Sequence, residues 1–368
     1  MSSNITEIVN VTRDIAWEPW AVQYFFLIGL SYGAFALTLP GIVFGSRKWA
    51  KASRSALLGA LICGFSAPVA LLSDLHSPGR FINFYLYPQP GSWMSWGSFF
   101  LVAYTGLLAL YAWAALAPDL KTAAAEGGPL ALPRRLLGAG TRPGLVRALG
   151  LLALVAAALV ALYTGMETML VRARAVWNTP LLPFLFLATA FAGAIGLTLL
   201  LERFACGNDR ATEVLLNRWL AGTLAVVGAL GVAWWVRGLG GAQPEATVLA
   251  QTAGSALWHA NVVWMLIALA APFAVAAVKP GGTGWLSGAL ALHAAWALRW
   301  VVLIGGQDLP KTGAGMYHFV IAAGPEGWAG MIGTAGLWLL ILIVLTTLLP
   351  WSGALGSGTA AVAGGSRS

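Results

Sequence analysis

The sequence predicts an all-α protein, a polytopic integral membrane bundle of about nine transmembrane helices. Three observations carry that prediction. Hydrophobic residues fill 59% of the 368 positions and charged residues only 9%, against roughly 25% charge in an ordinary soluble domain. The apolar positions gather into nine runs near the roughly 20 residues that a helix needs to cross hydrocarbon. None alternates like a barrel strand, and backbone in lipid must satisfy its own hydrogen bonds, so the runs are helices. A soluble fold is excluded for want of polar surface, and disorder for want of charge. The 18 Trp agree, because amphipathic rings settle at the membrane–water interface.

The runs fall at about 20–45, 55–73, 93–116, 147–167, 181–201, 219–237, 256–278, 285–305 and 328–350. Residues 1–19 carry Glu7, Asp14 and Glu18 and lack the basic start and short apolar run of a cleavable signal. They read as a retained extracytoplasmic leader. Gly29 and Gly33 in the first run are spaced for close helix contact. Segment 117–146, rich in Ala, Gly, Pro and basic residues, reads as a connector. The bundle occupies 20–350, and 351–368 is small and polar, the pattern of a disordered tail.

Lys and Arg residues in alternate loops set the orientation. One set of loops and run ends holds 14 of the 21, among them Arg47, Lys48, Lys51, Arg54, Arg134, Arg135, Arg203 and Arg210. The other holds 6: Arg13, Arg80, Arg172, Arg174, Arg237 and Lys311. The bias predicts an N-terminus outside and a cytoplasmic C-terminus, which an odd number of spans satisfies.

Ionisable groups in or beside spans are expensive, so each is a functional candidate. Tyr163 and Glu167 stand four apart near the outer end of the fourth run, on one helix face. Asp74 closes the second run, followed by His76, Arg80, Tyr85 and Tyr87. Gln23 and Tyr24 open the first run, His259 the seventh, and Arg299 lies about two turns inside the outer end of the eighth, before a loop with Gln307, Asp308 and Lys311. Nearly all are on the outer side. Each also has a plain structural reading. The tyrosines serve equally as interfacial belt residues, and Arg80, Arg172 and Arg174 as partners of lipid headgroups. Asp74 serves equally as a helix cap or a partner of Arg80, Glu167 as a solvated carboxylate, and mid-membrane His293 as a packing residue. Arg299 is expected to pair with Asp74, Glu167 or Asp308, because a buried guanidinium needs a carboxylate.

The +8 charge is scattered through loops rather than clustered, which argues against nucleic acid. Two cysteines, Cys63 and Cys206, leave no Cys-ligated iron–sulfur cluster and no CxxC metal site. The four histidines, His76, His259, His293 and His318, form no pair at matched depth, so no haem is expected.

Three stretches carry a resemblance: "YFFLIGLSYGAFAL" from Tyr24, "SDLHSPGRFINFYLYPQPGSWMSWGSF" from Ser73, and "LYTGMETMLVRARAVWNTPLLPFLF" from Leu162. Together they resemble the NrfD-like family, the membrane subunits of polysulfide reductase and related respiratory complexes. Within it, the YTGME form, the late "GQDLPKTGAGMY" loop and the ninth run are most similar to the tetrathionate reductase branch. The resemblance implies a haem-free, quinol-oxidising anchor in a bacterial or archaeal cytoplasmic membrane, with menaquinone or ubiquinone as its ligand. It implies two partners: an extracytoplasmic ferredoxin-like subunit with four iron–sulfur clusters, and a molybdopterin catalytic subunit. It places a quinone pocket at the outer face of a four-helix bundle within 20–201, with Tyr163 at the family's tyrosine position. The family's polar residues at the start of the first span are not reproduced, and Gln23 and Tyr24 stand nearest. On this reading Tyr163, Glu167 and Asp74 carry the chemistry. Tyr24, Gln23, His76, Arg80, His259 and Arg299 complete the pocket, with Arg80 and Arg299 keeping the carboxylates ionised. A secondary transporter is the rival of another class. It would carry midplane charges and paired broken helices, whereas the charges here collect at one face and no internal repeat is found. A purely structural anchor is the second rival.

Overall fold

Nine helices among the described residues are long and apolar enough to cross a membrane, in the order that hydropathy predicts. The structure is a computed structural model that describes residues 15–351 apart from 76, 242, 310–315 and 318. The spans are α1 (Pro19–Val43), α2 (Arg47–Asp74), α3 (Trp93–Ala125), α4 (Pro143–Met169), α5 (Leu182–Phe204), α6 (Arg210–Leu239), α7 (Ala256–Val278), α8 (Gly284–Asp308) and α9 (Trp328–Leu348). The leader up to residue 14, His76, Lys311, His318 and the tail beyond Trp351 lie outside the described residues.

The helices pack as two groups of four. α1 lies on α2, α3 on α4, and these pairs close on each other; α5 lies on α8 and α6, with α7 between α6 and α8. α5 also joins the groups by packing on α1, α2 and α4, and α9 rests on α2 and α1. About 72% of the apolar window of α1 and α2 is buried, against 6% for α9, so the former are core and the latter faces lipid. Small residues permit this density, as they must where lipid removes the hydrophobic drive between helices. Gly33 of α1 meets Ala190 and Ala194 of α5, the contact that its spacing predicts. Gly196 of α5 and Gly288 of α8 meet backbone to backbone: a Cβ on either would fall 2.6–2.7 Å from the other's carbonyl oxygen.

Buried hydroxyls join α1 to α3. Ser31 and Tyr104 share a 2.8 Å hydrogen bond and Thr38 and Tyr111 one of 2.9 Å. Seven residues separate both Ser31 from Thr38 and Tyr104 from Tyr111, so two parallel helices meet twice in register. The Ser31 hydroxyl also reaches the Ala60 carbonyl of α2 at 2.8 Å.

At the basic end, Arg54 forms an ion pair with Asp119, donates to the Pro350 carbonyl at 2.5 Å and stacks over Trp351, tying α2 and α3 to the residues after α9. Ser55 donates to buried Glu202 at 2.5 Å. The segment read as a connector, 117–146, is more helical than expected. α3 runs through Pro118 to Ala125, and a short helix, Ala131–Leu137, folds back on α3. Its alanines favour helix, and one internal proline costs a single backbone bond in a helix otherwise intact.

α6 begins earlier than hydropathy suggests because Asp209 caps it, accepting from the Thr212 amide at 2.9 Å and the Thr212 hydroxyl at 2.7 Å, with Lys51 2.9 Å away. Those bonds to Thr212, then Lys51, hold the Asp209 carboxyl down at about 2. A depressed carboxylate stabilises the fold above its unfolded value and loses that contribution as pH falls towards 2. Asp209→Ala is therefore expected to lower stability by about 1 kcal/mol at neutral pH, and the difference should narrow in melts taken from pH 4 downwards and be smallest once the pH has fallen through about 2. Gly288→Val forces α5 and α8 apart and should cost about 1–3 kcal/mol in the same melts.

Candidate functional site

A cavity of about 460 Å³ opens at the end of the bundle opposite the Arg54 cluster, within the size range of small-molecule pockets. Three helices supply its ionisable groups: Tyr24 from α1, Asp74 from α2, and Tyr163 with Glu167 from α4, while α3 contributes Ser98 and an apolar wall. Phe81, Phe84 and Tyr85, from the turn between α2 and α3, line the same space.

Local sequence places each group. Tyr163 and Glu167 project from consecutive turns of α4, whose Thr164 and Thr168 return their hydroxyls to their own backbone carbonyls. Gly97 of α3 leaves room for the Tyr163 ring; a Cβ there would overlap it. Gly165 lets α4 approach Pro183 of α5. Ser92 caps α3, the Ser95 hydroxyl accepts from the Gln89 amide at 3.0 Å, and the Trp96 indole donates to the Pro90 carbonyl at 2.9 Å. These bonds hold the turn over the cavity. Tyr85 donates to the Ser98 carbonyl at 3.4 Å, and burial raises its phenol above the ordinary value, so it is a donor at neutral pH.

Tyr24 is 1% exposed and Tyr163 3%. The Tyr24 hydroxyl is fully buried and lies beside the Tyr163 hydroxyl, within reach of a hydrogen bond of poor geometry, and near Glu167. Glu167 in turn lies within hydrogen-bonding reach of Tyr163 and feels Asp74. A ligand oxygen between these groups would give the Tyr24 hydroxyl a better-aligned partner. The site therefore offers the phenols of Tyr24 and Tyr163 and the carboxyls of Asp74 and Glu167, with the Tyr85 phenol at its turn, around a space that is otherwise mostly hydrocarbon.

The remaining wall is pinned from α8. Gln307 accepts from the amides of Ala16 and Trp17 at 2.9 and 3.1 Å and donates to the Trp17 carbonyl at 2.7 Å. Trp17 lines the cavity and stacks on Phe25 and Trp177. The Trp177 indole donates to Val302 in the π-helical turn Val301–Gly305, and Arg174 donates to the carbonyls of Gln307 and Leu309. Burial lowers the Arg174 guanidinium from its ordinary value, with Asp308 opposing. Gln307 and Asp308 thus belong to α8, not to the loop after it.

The other expected residues lie elsewhere. Gln23 faces a groove lined by α1, α5, α8 and α9. Arg80 lines a shallow depression beyond the Phe81 turn, and His259 is exposed on α7. His76 lies outside the described residues. Arg299 is buried between α1, α5 and α8, but its bonds go to neutral acceptors: the Thr189 hydroxyl at 2.5 Å and the carbonyls of Phe186 at 2.8 Å and Ala295 at 3.2 Å. Its guanidinium lies over the Phe186 ring, and Tyr32 is within hydrogen-bonding reach. No ion pair of Arg299 with a carboxylate is found among the described residues, which corrects the expected pairing. The Thr189 hydroxyl, two helix carbonyls and an aromatic face replace it. His293 accepts from the Trp264 indole at 2.9 Å, a packing role.

The family described as "Polysulphide reductase, NrfD" matches residues 8–311. The chain belongs to the NrfD family. The C subunit of the tetrathionate reductase of Salmonella typhimurium is 32% identical over 94% of this chain and 95% of its own length. Its counterpart in the polysulfide reductase of Wolinella succinogenes is 27% identical over 80% of this chain and 95% of its own length. The C subunit of the selenate reductase of Mesobacillus selenatarsenatis is 28% identical over 56% and 52% respectively. With nine apolar helices among the described residues, this NrfD-family protein is a multi-pass membrane protein.

Sequence reasoning named Tyr85 and Gln307 among the outer-side candidates but missed Phe81 and Phe84 beside Tyr85, the bonds of Gln307 to residues 16 and 17, and the Ser31–Tyr104 and Thr38–Tyr111 pairs. The pairs had a signal in their matched seven-residue spacing; the Gln307 bonds join positions some 290 residues apart and had none. Because Gly97 makes room for Tyr163, Gly97→Ala should displace that ring and cost about 1–3 kcal/mol in thermal melts, whereas Gly79→Ala, at an open site, should leave the melt unchanged.

Proposed function

We propose that this protein is the membrane anchor and quinol-oxidising subunit of a respiratory molybdopterin oxidoreductase complex of the tetrathionate reductase type. It takes electrons from menaquinol or ubiquinol and passes them to an extracytoplasmic iron–sulfur subunit with four clusters, and thence to a molybdopterin subunit. The cavity end is the outer face, as the Lys/Arg bias indicates. The complex sits in a bacterial or archaeal cytoplasmic membrane. One observation carries the reading: two phenols and two carboxyls from three helices converge on one cavity with hydrocarbon walls.

A quinol supplies two electrons and two protons when oxidised, so the protein must hold two ring oxygens and take two protons. The Tyr163 and Tyr24 hydroxyls hold one ring oxygen, which gives Tyr24 a better-aligned partner than Tyr163 alone. Glu167, one turn from Tyr163, takes the two protons one after the other, and Asp74 at the end of α2 relays each to the water at that face. Apolar walls keep bulk water from the head group, and the Trp17, Phe81 and Phe84 rings hold it flat. The cations stand away from this step: Arg80 lies beyond the turn, and Arg299 is engaged by Thr189 and Phe186. Electrons and protons both leave on the same side, so the protein by itself moves no net charge across the membrane.

The branch assignment rests on the 32% identity along nearly the whole length; a polysulfide- or selenate-reducing complex is the second reading, supported by the other relatives. In the purified complex, Glu167→Gln should lower quinol-dependent tetrathionate reduction about a hundredfold, the lower range for a lost acid–base group, and Tyr163→Phe, which loses a hydrogen bond to the ring oxygen, about tenfold. Reduction driven by a viologen dye, which feeds the catalytic subunit directly, should stay unchanged. Unchanged quinol-dependent rates in both variants would sink the site.

A further inference from the structure

We infer that the groove between α5 and α6 binds one anionic phospholipid from the leaflet at the basic end, with the phosphate on Arg218 and an acyl chain laid along α6. That leaflet is the cytoplasmic one on the Lys/Arg bias. The site belongs to the second group of helices, its polar end points away from the cavity, and it owes nothing to the quinol reading.

The groove has a volume of about 690 Å³. Arg218, Gly222, Val226 and Leu230 line it at four-residue spacing, so they share one face of α6. The twelve residues from Arg218 to Leu230 rise about 18 Å, more than half of the roughly 30 Å hydrocarbon core. Phe191, Leu187 and Phe184 of α5 form the facing wall. Thr223 supplies the one hydroxyl of the lining, and it donates to the Trp219 carbonyl at 2.8 Å. Beyond Arg218 the walls are therefore hydrocarbon. They are also open to lipid: Phe184 is 59% exposed, Val226 53% and Trp219 49%. A Cβ at Gly222 would meet nothing within 4 Å, so bare backbone floors the groove there.

Charge decides what kind of lipid fits. Arg218 stands immediately before the apolar run of α6, at the membrane boundary. At the same end Lys51 is paired with Asp209 and Arg54 with Asp119, whereas Arg218 has no ion pair among the described residues and the groove lining holds no carboxylate. A guanidinium at the edge of hydrocarbon attracts an anion, and its planar fork matches phosphate oxygens. The Trp219 ring meets Trp49 edge-on with centroids 5.5 Å apart, which sets two indoles at the level where amphipathic rings settle. Exposed Arg47 and Lys48 precede Trp49 and add cations to this end. The groove that Gln23 faces, of about 880 Å³ under α9, is larger but carries no cation on its walls. It gives an anionic head no hold.

The test uses the full chain purified in detergent and stripped of lipid, with phosphatidylglycerol or phosphatidylethanolamine added back and retention read by native mass spectrometry. The unsubstituted protein should hold phosphatidylglycerol at least about fivefold more tightly, the weight of one cation near an anionic lipid. Arg218→Gln should lose most of that preference and Arg218→Lys should keep most of it. Arg135→Gln, at an exposed arginine of the short helix after α3, should change nothing. Equal retention of the two lipids by the unsubstituted protein would overturn the site, as would a preference undiminished in Arg218→Gln. Phosphatidylglycerol with a photoreactive group midway along one chain should label α5 near 184–191 and α6 near 222–230; label absent from both stretches would overturn the groove. Glycerol phosphate, a head without chains, should fail to displace the lipid at equal concentration, and displacement would overturn the lipid as occupant.

Discussion

Hydrocarbon offers no hydrogen-bond partners, and every feature of this protein follows from that one fact. Backbone donors and acceptors must close within each segment, so the spans are helices. Side chains must then be apolar, small, or matched to a partner on a neighbouring helix. Ser31 with Tyr104, Thr38 with Tyr111, Ser55 with Glu202 and Arg54 with Asp119 are solutions of this kind, each tying two spans. At the cavity the partners are held less tightly: the Tyr24 hydroxyl is buried beside Tyr163 and Glu167 with no well-aligned hydrogen bond.

The two ends of the bundle use charge differently. At the basic end, Arg54, Asp119, Lys51 and Asp209 pair across helices and act as struts. At the cavity end the carboxyls of Asp74 and Glu167 face an apolar space, while the nearest buried arginine is turned away. Arg299 spends its donors on Thr189, Phe186 and Ala295, and so joins α8 to α5 beside Gly29 of α1 rather than holding a carboxylate. That division suits a proton-accepting site, because a guanidinium in contact with Glu167 would oppose its protonation.

Span count, span order and the clustering of polar residues at one face were legible in the sequence, because hydropathy and helix length act residue by residue. Tyr163 with Glu167 was legible for the same reason: a spacing of four is a local property. The Asp74–Glu167 convergence was legible only as shared depth. Which side of α1 faces the cavity was not: Gln23 and Tyr24 are neighbours in sequence, yet one turns to the α9 groove and the other to the cavity. Arg299 shows the same limit, since depth alone suggested a carboxylate and helix rotation supplied carbonyls instead.

By itself the sequence determined that this protein lives in lipid as about nine helices, that its basic loops lie on one side, and that its scarce polar groups lie mainly on the other. Those are sums over local properties, and no packing can reverse them. The tertiary structure decided which of those polar groups meet. Helix rotation, set by contacts such as Gly33 on Ala194 and Gly196 on Gly288, brought Tyr24, Asp74, Tyr163 and Glu167 to one cavity and left Gln23, Arg80, His259 and Arg299 outside it. Rotation about a helix axis depends on every neighbour at once, and no window along a single sequence holds that information.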